Sequence, residues 1–385
     1  MKKLTFIFFD AGGGHRSAAT ALRATIEREH RPWDVELLNL QELLDFMDPF
    51  LRITGIRLQD IYNRILANGW TLGSAQLLQG LHAVMRMYHA RVVRELNKHW
   101  SKTQTDAVVS LVPNLNRAIA QSVKESLPGV PFVTILTDLA DYPPHFWMER
   151  ESQFLICGSD RAVEQARALG HSNDRIFHAS GMILNPVFYE PSTLDRDEER
   201  KKLGLQPGVP TALALFGGFA PPMMEKIVSR LEDARLPVQM ILICGRNEKL
   251  ADLLRRRSGK MRIFVEGFTR NVPYYMRLAD FFIGKTGPGS ISEAVAMILP
   301  VIVERNAWTL PQERYNADWI LQKQVGIVLP NFRDIASAVG KLLESANLGR
   351  FRDNCAAIKN DAVFEIPEFL EQILVRAEGP AVPVT

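Results

Sequence analysis

The feature that most limits what this chain can become is an alternation that runs almost from end to end. Short runs rich in β-branched and aromatic residues are followed by longer stretches with helical spacing. That order is the signature of parallel strands joined by crossover helices, because parallel neighbours need a long return connection. The first half offers strands near 4–9, 34–39, 106–111, 132–136 and 153–157. The second half offers 211–215, 238–243, 262–265, 280–283, 300–304 and 325–328. With 385 residues the chain exceeds what one core usually supports. The expectation is an α/β protein of two doubly wound units in series.

Between the two sets lies Gly181 to Pro191, with prolines at 186 and 191 and no periodicity, the best place for a linker. It sets the expected domains: 1–185, 186–360, and a helix with a tail at 361–385 that packs back on the first domain. A charged helix from Arg196 to Leu203 leads into the second sheet. The region 46–100 departs from the alternation. It is mainly helical and mixes Phe46, Met47, Phe50, Leu51, Trp70 and Leu72 with Arg52, Arg57, Arg64, Arg86, Arg91 and Arg94. Such a mixture suits an anionic membrane surface as well as helices packed over a sheet with arginines outside. Residues 379–385 read as a frayed tail.

Bulk properties exclude some classes. The formal charge of +3 is too small to argue for nucleic acid. Cys157, Cys244 and Cys355 are far apart in sequence and form no metal-ligand or redox pair, as expected of reduced thiols in a cytosolic protein. The apolar run Leu4–Phe9 is short for a secretory signal, and no stretch approaches the ~20 apolar residues of a membrane span. The expected location is the cytoplasm, with peripheral attachment to the inner face of a membrane.

Three glycine-rich turns follow expected strands, where ligands bind in open α/β sheets. The first, Phe9-Asp10-Ala11-Gly12-Gly13-Gly14-His15, leads into a helix beginning near Arg16. It lacks the dinucleotide fingerprint. His15 is placed either to take a proton from a hydroxyl or merely to cap the helix. The second, Phe216-Gly217-Gly218-Phe219, is a tight strand-to-helix turn or a phosphate wrap. The third, Gly284-Lys285-Thr286-Gly287-Pro288-Gly289-Ser290, is not a P-loop, since that motif needs glycine where Ala279 stands. It is a strand, a Gly-Pro-Gly turn and a helix whose free N–H groups suit a diphosphate, with Lys285 adding charge and Glu293 placed for ribose hydroxyls. Downstream, Gln312, Glu313 and Asn316 offer the amides and carboxylate that sugar hydroxyls need, or form a solvated helix start.

The ordered set Cys244-Gly245-Arg246-Asn247, Glu266-Gly267-Phe268, Met276 to Asp280, Lys285 to Gly289 with Glu293, and Gln312-Glu313 with Asn316 resembles the diacylglycerol glycosyltransferases. These include the monogalactosyldiacylglycerol synthases, glycosyltransferase family 28-like enzymes of GT-B fold. The N-terminal Gly12, Gly13, Gly14 and His15 match that family's acceptor loop, and the resemblance covers nearly the whole chain. It implies two Rossmann-like domains facing a central cleft, a UDP-sugar in the second, a lipid acceptor at the first, and inversion at the anomeric carbon. By the same resemblance His15 is the base or an acceptor contact, with Asp138 of the Thr137-Asp138 pair as the other candidate. Gly287, Gly289 and Ser290 meet the diphosphate, Glu293 the ribose, the Phe268 region the base, and Gln312, Glu313 and Asn316 the sugar, with Arg246 a further donor contact. His145 stands for a family histidine normally nearer the Thr-Asp pair. No metal site and no cofactor are expected beyond the donor itself. Two alternatives share the plan: a UDP-sugar 2-epimerase, which needs no acceptor, and a degenerate protein that only binds nucleotide sugar.

Overall fold

The computed structural model describes residues 1–10, 13–44 and 74–378, with side chains from Met87 onward in the helix that begins at Ser74. Gly12, residues 46–73 of the insertion and the tail 379–385 lie outside the described residues. The chain divides into two compact units. One holds the described residues up to Pro186 together with Asn360 onward, and the other runs from Val187 to Lys359.

The first unit is built on six parallel strands: β1 (Lys2–Phe8), β2 (Trp33–Asn39), β3 (Ala107–Ser110), β4 (Phe132–Ile135), β5 (Phe154–Cys157) and β6 (Ile176–His178). Their order is β2-β1-β3-β4-β5-β6. The helices are α1 (Gly14–Arg28), α2 (Leu40–Leu43), α3 (Ser74–Trp100), α4 (Asn116–Ser126) and α5 (Asp160–Leu169). The second unit holds β7 (Thr211–Leu215), β8 (Gln239–Ile243), β9 (Ile263–Glu266), β10 (Phe281–Gly284), β11 (Val301–Glu304) and β12 (Gly326–Leu329), in the order β12-β11-β10-β7-β8-β9. Its helices are α6 (Arg196–Lys202), α7 (Met223–Asp233), α8 (Glu248–Arg255), α9 (Val272–Leu278), α10 (Pro288–Ala296), α11 (Arg314–Lys323), α12 (Ile335–Leu343) and α13 (Ser345–Ala357). The last helix, α14 (Ala362–Glu378), returns to the first unit and packs on α1.

Burial explains which strands the sequence announces. The inner strands β3, β4, β7, β8 and β10 are buried at every residue, so their side chains are apolar almost without interruption. The edge strand β2 alternates between half-buried and exposed over most of its length. The three-residue edge strand β6, absent from the sequence expectation, carries only Phe177 as a core residue. In each sheet the chain leaves the first strand in one direction and later returns to add strands on its other side. These reversals lie between β1 and β3 and between β7 and β10, and they open a crevice at the carboxyl ends of those strands.

Asp280, just before β10, ties the base of the second sheet. Its carboxylate accepts from Arg200 at 2.7 Å, Arg352 at 2.8 Å, Arg196 at 3.1 Å and the Thr211 N–H at 2.8 Å. Desolvation opposes ionisation of this buried group. The Thr211 N–H and the three arginines together outweigh it and hold the carboxyl below its usual range.

Candidate functional site

In the first unit the chemistry gathers at the carboxyl ends of β1, β3 and β4. Gly13 enters α1 in the left-handed conformation (φ 81°), which a residue with a Cβ adopts at a cost. The helix has neither a side-chain cap nor an acidic residue in its first turn, so its leading N–H groups and its positive end are uncompensated. Gly14 and His15 open it. The His15 ring is half-buried, its Nδ1 lies 3.1 Å from the Thr137 hydroxyl, and the Leu111 backbone carbonyl also engages it. Burial pushes its pKa down to about 4, with the Leu111 carbonyl working weakly the other way. The ring is therefore neutral at pH 7, the form a general base requires.

Asp138 is buried, and its Oδ2 accepts from the Trp147 indole N–H at 2.9 Å. Trp147 is wholly buried and its ring lies 5.8 Å from that of His15. Two residues that the sequence reading left without a role hold this tryptophan. Asn116 donates to its carbonyl at 2.8 Å, and Asp141 accepts from its backbone N–H at 2.6 Å. The Asp141 carboxylate also accepts from the N–H groups of His145 at 3.0 Å and Met148 at 3.4 Å. Desolvation raises its pKa, and these backbone donors offset part of the rise. His145 stands exposed with a positive φ of 65°, its Nδ1 3.3 Å from the Met148 carbonyl. It is on the same loop as Trp147 and makes no contact with His15 among the described residues.

In the second unit the glycine turns after β7 and β10 meet at the strand reversal. Gly217 is left-handed (φ 93°), and a Cβ there would lie 3.8 Å from Cε of Lys285. Gly245 faces the same turn so closely that a Cβ would meet the Gly218 carbonyl oxygen at 2.4 Å. The Arg246 N–H donates to that same oxygen at 2.9 Å. The Arg246 guanidinium stacks over the exposed Phe268 ring at 5.2 Å, forming a flat cationic platform beyond β8 and β9.

Helix α10 begins with Pro288 at its first position, after Gly287, with no side-chain cap and no acid in its first turn. Gly289 and Ser290 supply the next N–H groups. Glu293, one turn on, is half-buried, and its carboxylate has no hydrogen-bond or ion-pair partner among the described residues. Burial raises its pKa to about 7. Lys285 reaches Glu313 at 3.1 Å, and Glu313 lies 3.5 Å from the Thr286 hydroxyl. Asn316 is fully buried; its Nδ2 donates to the Thr286 carbonyl at 2.7 Å, while its Oδ1 is buried without a partner. Gln312 is half-buried in the 3-10 turn Pro311–Glu313. The structure thus brings Lys285, Thr286, Glu313 and Asn316 into one bonded group beside the start of α10. Of these, Asn316 braces the turn from beneath. Among the described residues no group of three or more His, Cys, Asp or Glu side chains is placed to hold a metal ion.

Residues 219–345 match the glycosyltransferase family 28 C-terminal domain. The chain is 27% identical to a probable chloroplastic monogalactosyldiacylglycerol synthase 2 of Oryza sativa subsp. indica, over 97% of this chain and 81% of the relative. Among solved structures it superposes on Acinetobacter baumannii MurG with a TM-score of 0.62 at 12% identity, covering 97% of this chain and 100% of that one. It superposes on S. aureus MnaA in its UDP complex with a TM-score of 0.63 at 15% identity, covering both chains completely. The fold of the two units is GT-B.

Proposed function

We propose, from the match of residues 219–345 to the family 28 C-terminal domain and the GT-B fold, that the chain transfers a hexose from a UDP-sugar to a lipid acceptor of the diacylglycerol type with inversion. The observation that carries the reading is the donor half. An uncapped helix start faces Lys285, with a platform of Arg246 and Phe268 on one side and the amide and carboxylate of Gln312 and Glu313 on the other. That set supplies cationic and N–H partners for a diphosphate, a stacking surface for a base and polar partners for a sugar.

In this mechanism the neutral His15 imidazole takes the proton of the acceptor hydroxyl as its oxygen attacks the anomeric carbon. The bond from that carbon to the diphosphate breaks, and the leaving oxygen gains charge at the N-terminus of α10 and near Lys285, which are fixed in place before reaction. Asp138, bonded to Trp147, fixes the wall beside the base rather than taking the proton. Glu293 meets the ribose as a carboxyl near its midpoint of ionisation at pH 7. No metal is required by the mechanism.

The test is release of UDP from a panel of UDP-sugars, with and without vesicles containing diacylglycerol. Release that depends on the vesicles supports the proposal and names the sugar. Turnover of a UDP-sugar without any acceptor would instead establish an epimerase-like reaction. His15→Ala should lower transfer by at least ~100-fold, within the span typical of a lost general base, and leave UDP affinity unchanged. Unaltered turnover in that variant would remove His15 from the chemistry.

A further inference from the structure

A cavity lies in the Val187–Lys359 unit, and no residue of α10 lines it. It measures about 520 Å³, within the usual range for small-molecule sites. One wall is a single face of α7, carrying Met223, Lys226 and Arg230. The others are the loop after β11, with Glu304 and Trp308, and the loop after β12, with Phe332 and Arg333.

The lining is cationic and uncompensated. Lys226, Arg230 and Arg333 form no ion pair among the described residues. The one carboxylate, Glu304, is already committed. Its Oε1 accepts from Asn306 at 2.7 Å and its Oε2 from the Phe332 N–H at 2.7 Å, so it fastens the two loops together. Arg230 donates to the Phe332 carbonyl at 3.0 Å, which holds its guanidinium at the cavity wall. The floor is apolar and fixed: Phe332 is buried and packs edge-on against Phe216 at 5.6 Å. Trp308 lies 47% exposed at the rim, its N–H bonded to Asn306 Oδ1 at 2.8 Å. A preformed hollow with three cations, one spent acid and an exposed indole suits an anion with several acceptor oxygens joined to an apolar or ring-shaped portion.

We infer that this cavity is a second anion-binding site, for a phosphate ester, separate from the diphosphate position at α10. Its rim loop continues directly into Pro311–Glu313, so an occupant that orders Trp308 acts on the segment bearing Gln312 and Glu313. The phosphate belongs either to a soluble ester or to a lipid headgroup, and the two sources are separable by experiment. The inference stands apart from the transferase reading.

The test titrates the full chain with inorganic phosphate in saturating UDP, which occupies the diphosphate position. Binding is read as heat and as tryptophan emission. The expected result is one phosphate bound, with affinity falling at least ~10-fold, about 1.4 kcal/mol, in the double variant Lys226→Glu, Arg333→Glu. UDP affinity should stay within ~2-fold of wild type. Trp308→Phe should abolish the emission change while leaving the heat. Parallel sedimentation uses phosphatidylcholine vesicles with and without phosphatidylglycerol. Charge-dependent sedimentation lost in the double variant assigns a lipid headgroup; phosphate binding with sedimentation equal in both proteins assigns a soluble ester. No phosphate heat in the wild type, or heat unchanged by the double reversal, overturns the inference. Failure to bind UDP would sink the transferase reading alone, because the reversal still reads the cavity.

Discussion

Two ionisable side chains carry opposite burdens of burial, and each makes a distinct prediction about pH. His15 is held at about 4, below its ordinary 6.5, so the folded state prefers the neutral ring. Its contribution to stability is complete above pH 6.5 and is lost as pH falls through about 4. For catalysis, the acid limb of kcat/KM for the acceptor, measured at saturating donor, should therefore lie near 4. A limb near 6.5, the ordinary imidazole value, would mean that burial does not hold His15 down in the reacting complex. Glu293 is raised from 4.5 to about 7, so the fold prefers the protonated carboxyl. That contribution is present below 4.5 and disappears as pH rises through about 7. Glu293→Gln mimics the neutral form. It should melt with the wild type at pH 4.5 and above it at pH 8, by roughly 2 °C or more for a gain on the order of 1 kcal/mol. Equal melting at both pH values would show that the carboxylate finds a partner in solution. The raised value follows from placing a carboxyl where only a bound ligand would complete its hydrogen bonds.

At the scale of elements, two carboxylates, Asp141 and Asp280, each organise a region by gathering several donors. Asp141 gathers three backbone N–H groups of the loop carrying Trp147 and His145. Asp141→Ala leaves those donors without their acceptor, each at about 1–3 kcal/mol. The Trp147 wall should loosen, seen as weakened near-ultraviolet circular dichroism, with kcat/KM for the acceptor down at least ~10-fold, about 1.4 kcal/mol. A loosened wall with normal transfer would separate this loop from the acceptor site. Asp280→Ala strands buried Arg200 and should destabilise the second unit by roughly 3–5 kcal/mol, read by denaturant titration. Neither role was legible in the sequence, and the reason is physical. The partners of Asp141 are main-chain groups, and those of Asp280 are up to 84 residues away. The parallel strands were legible because burial on both faces writes largely apolar runs, as in Met240–Ile243 and Phe281–Ile283. Strand β6 was not, because Ile176–His178 buries one side chain and follows a turn. The glycine turns and the start of α10 were legible because a tight turn into a helix calls for glycine and proline at set places. That Asn316 supports Thr286 from beneath was hidden, since the same amide read outward serves a sugar equally well.

Across the molecule, each unit has a core of its own. In the first unit the apolar side chains from Ile7 to Phe132 form one cluster and those from Leu136 to Ala166 another, and in the second unit those from Ala212 to Phe351 form a third. The return of α14 is fixed inside the first unit: Asp361 N–H donates to Ser180 at 2.7 Å, Ser180 N–H to Glu365 at 2.7 Å, and Arg31 to Glu371 at 2.9 Å. Cores built this way open as separate cooperative units unless a ligand links them. UDP alone touches only residues of the second unit in the proposed mechanism. At ~100 times its Kd it should stabilise that unit by about 2.7 kcal/mol. Native-state hydrogen exchange should then slow across β7, β10 and α10, while β1, β3, β4 and α14 exchange at their unliganded rates. If UDP slowed exchange equally in both, the units would be one cooperative body and the donor would order the acceptor half before any acceptor arrives. If it slowed exchange only in the first unit, the donor position at α10 would be misassigned. The expected asymmetry follows from the sequence order itself: every donor residue named here falls between Gly217 and Asn316, within a stretch that folds around its own sheet.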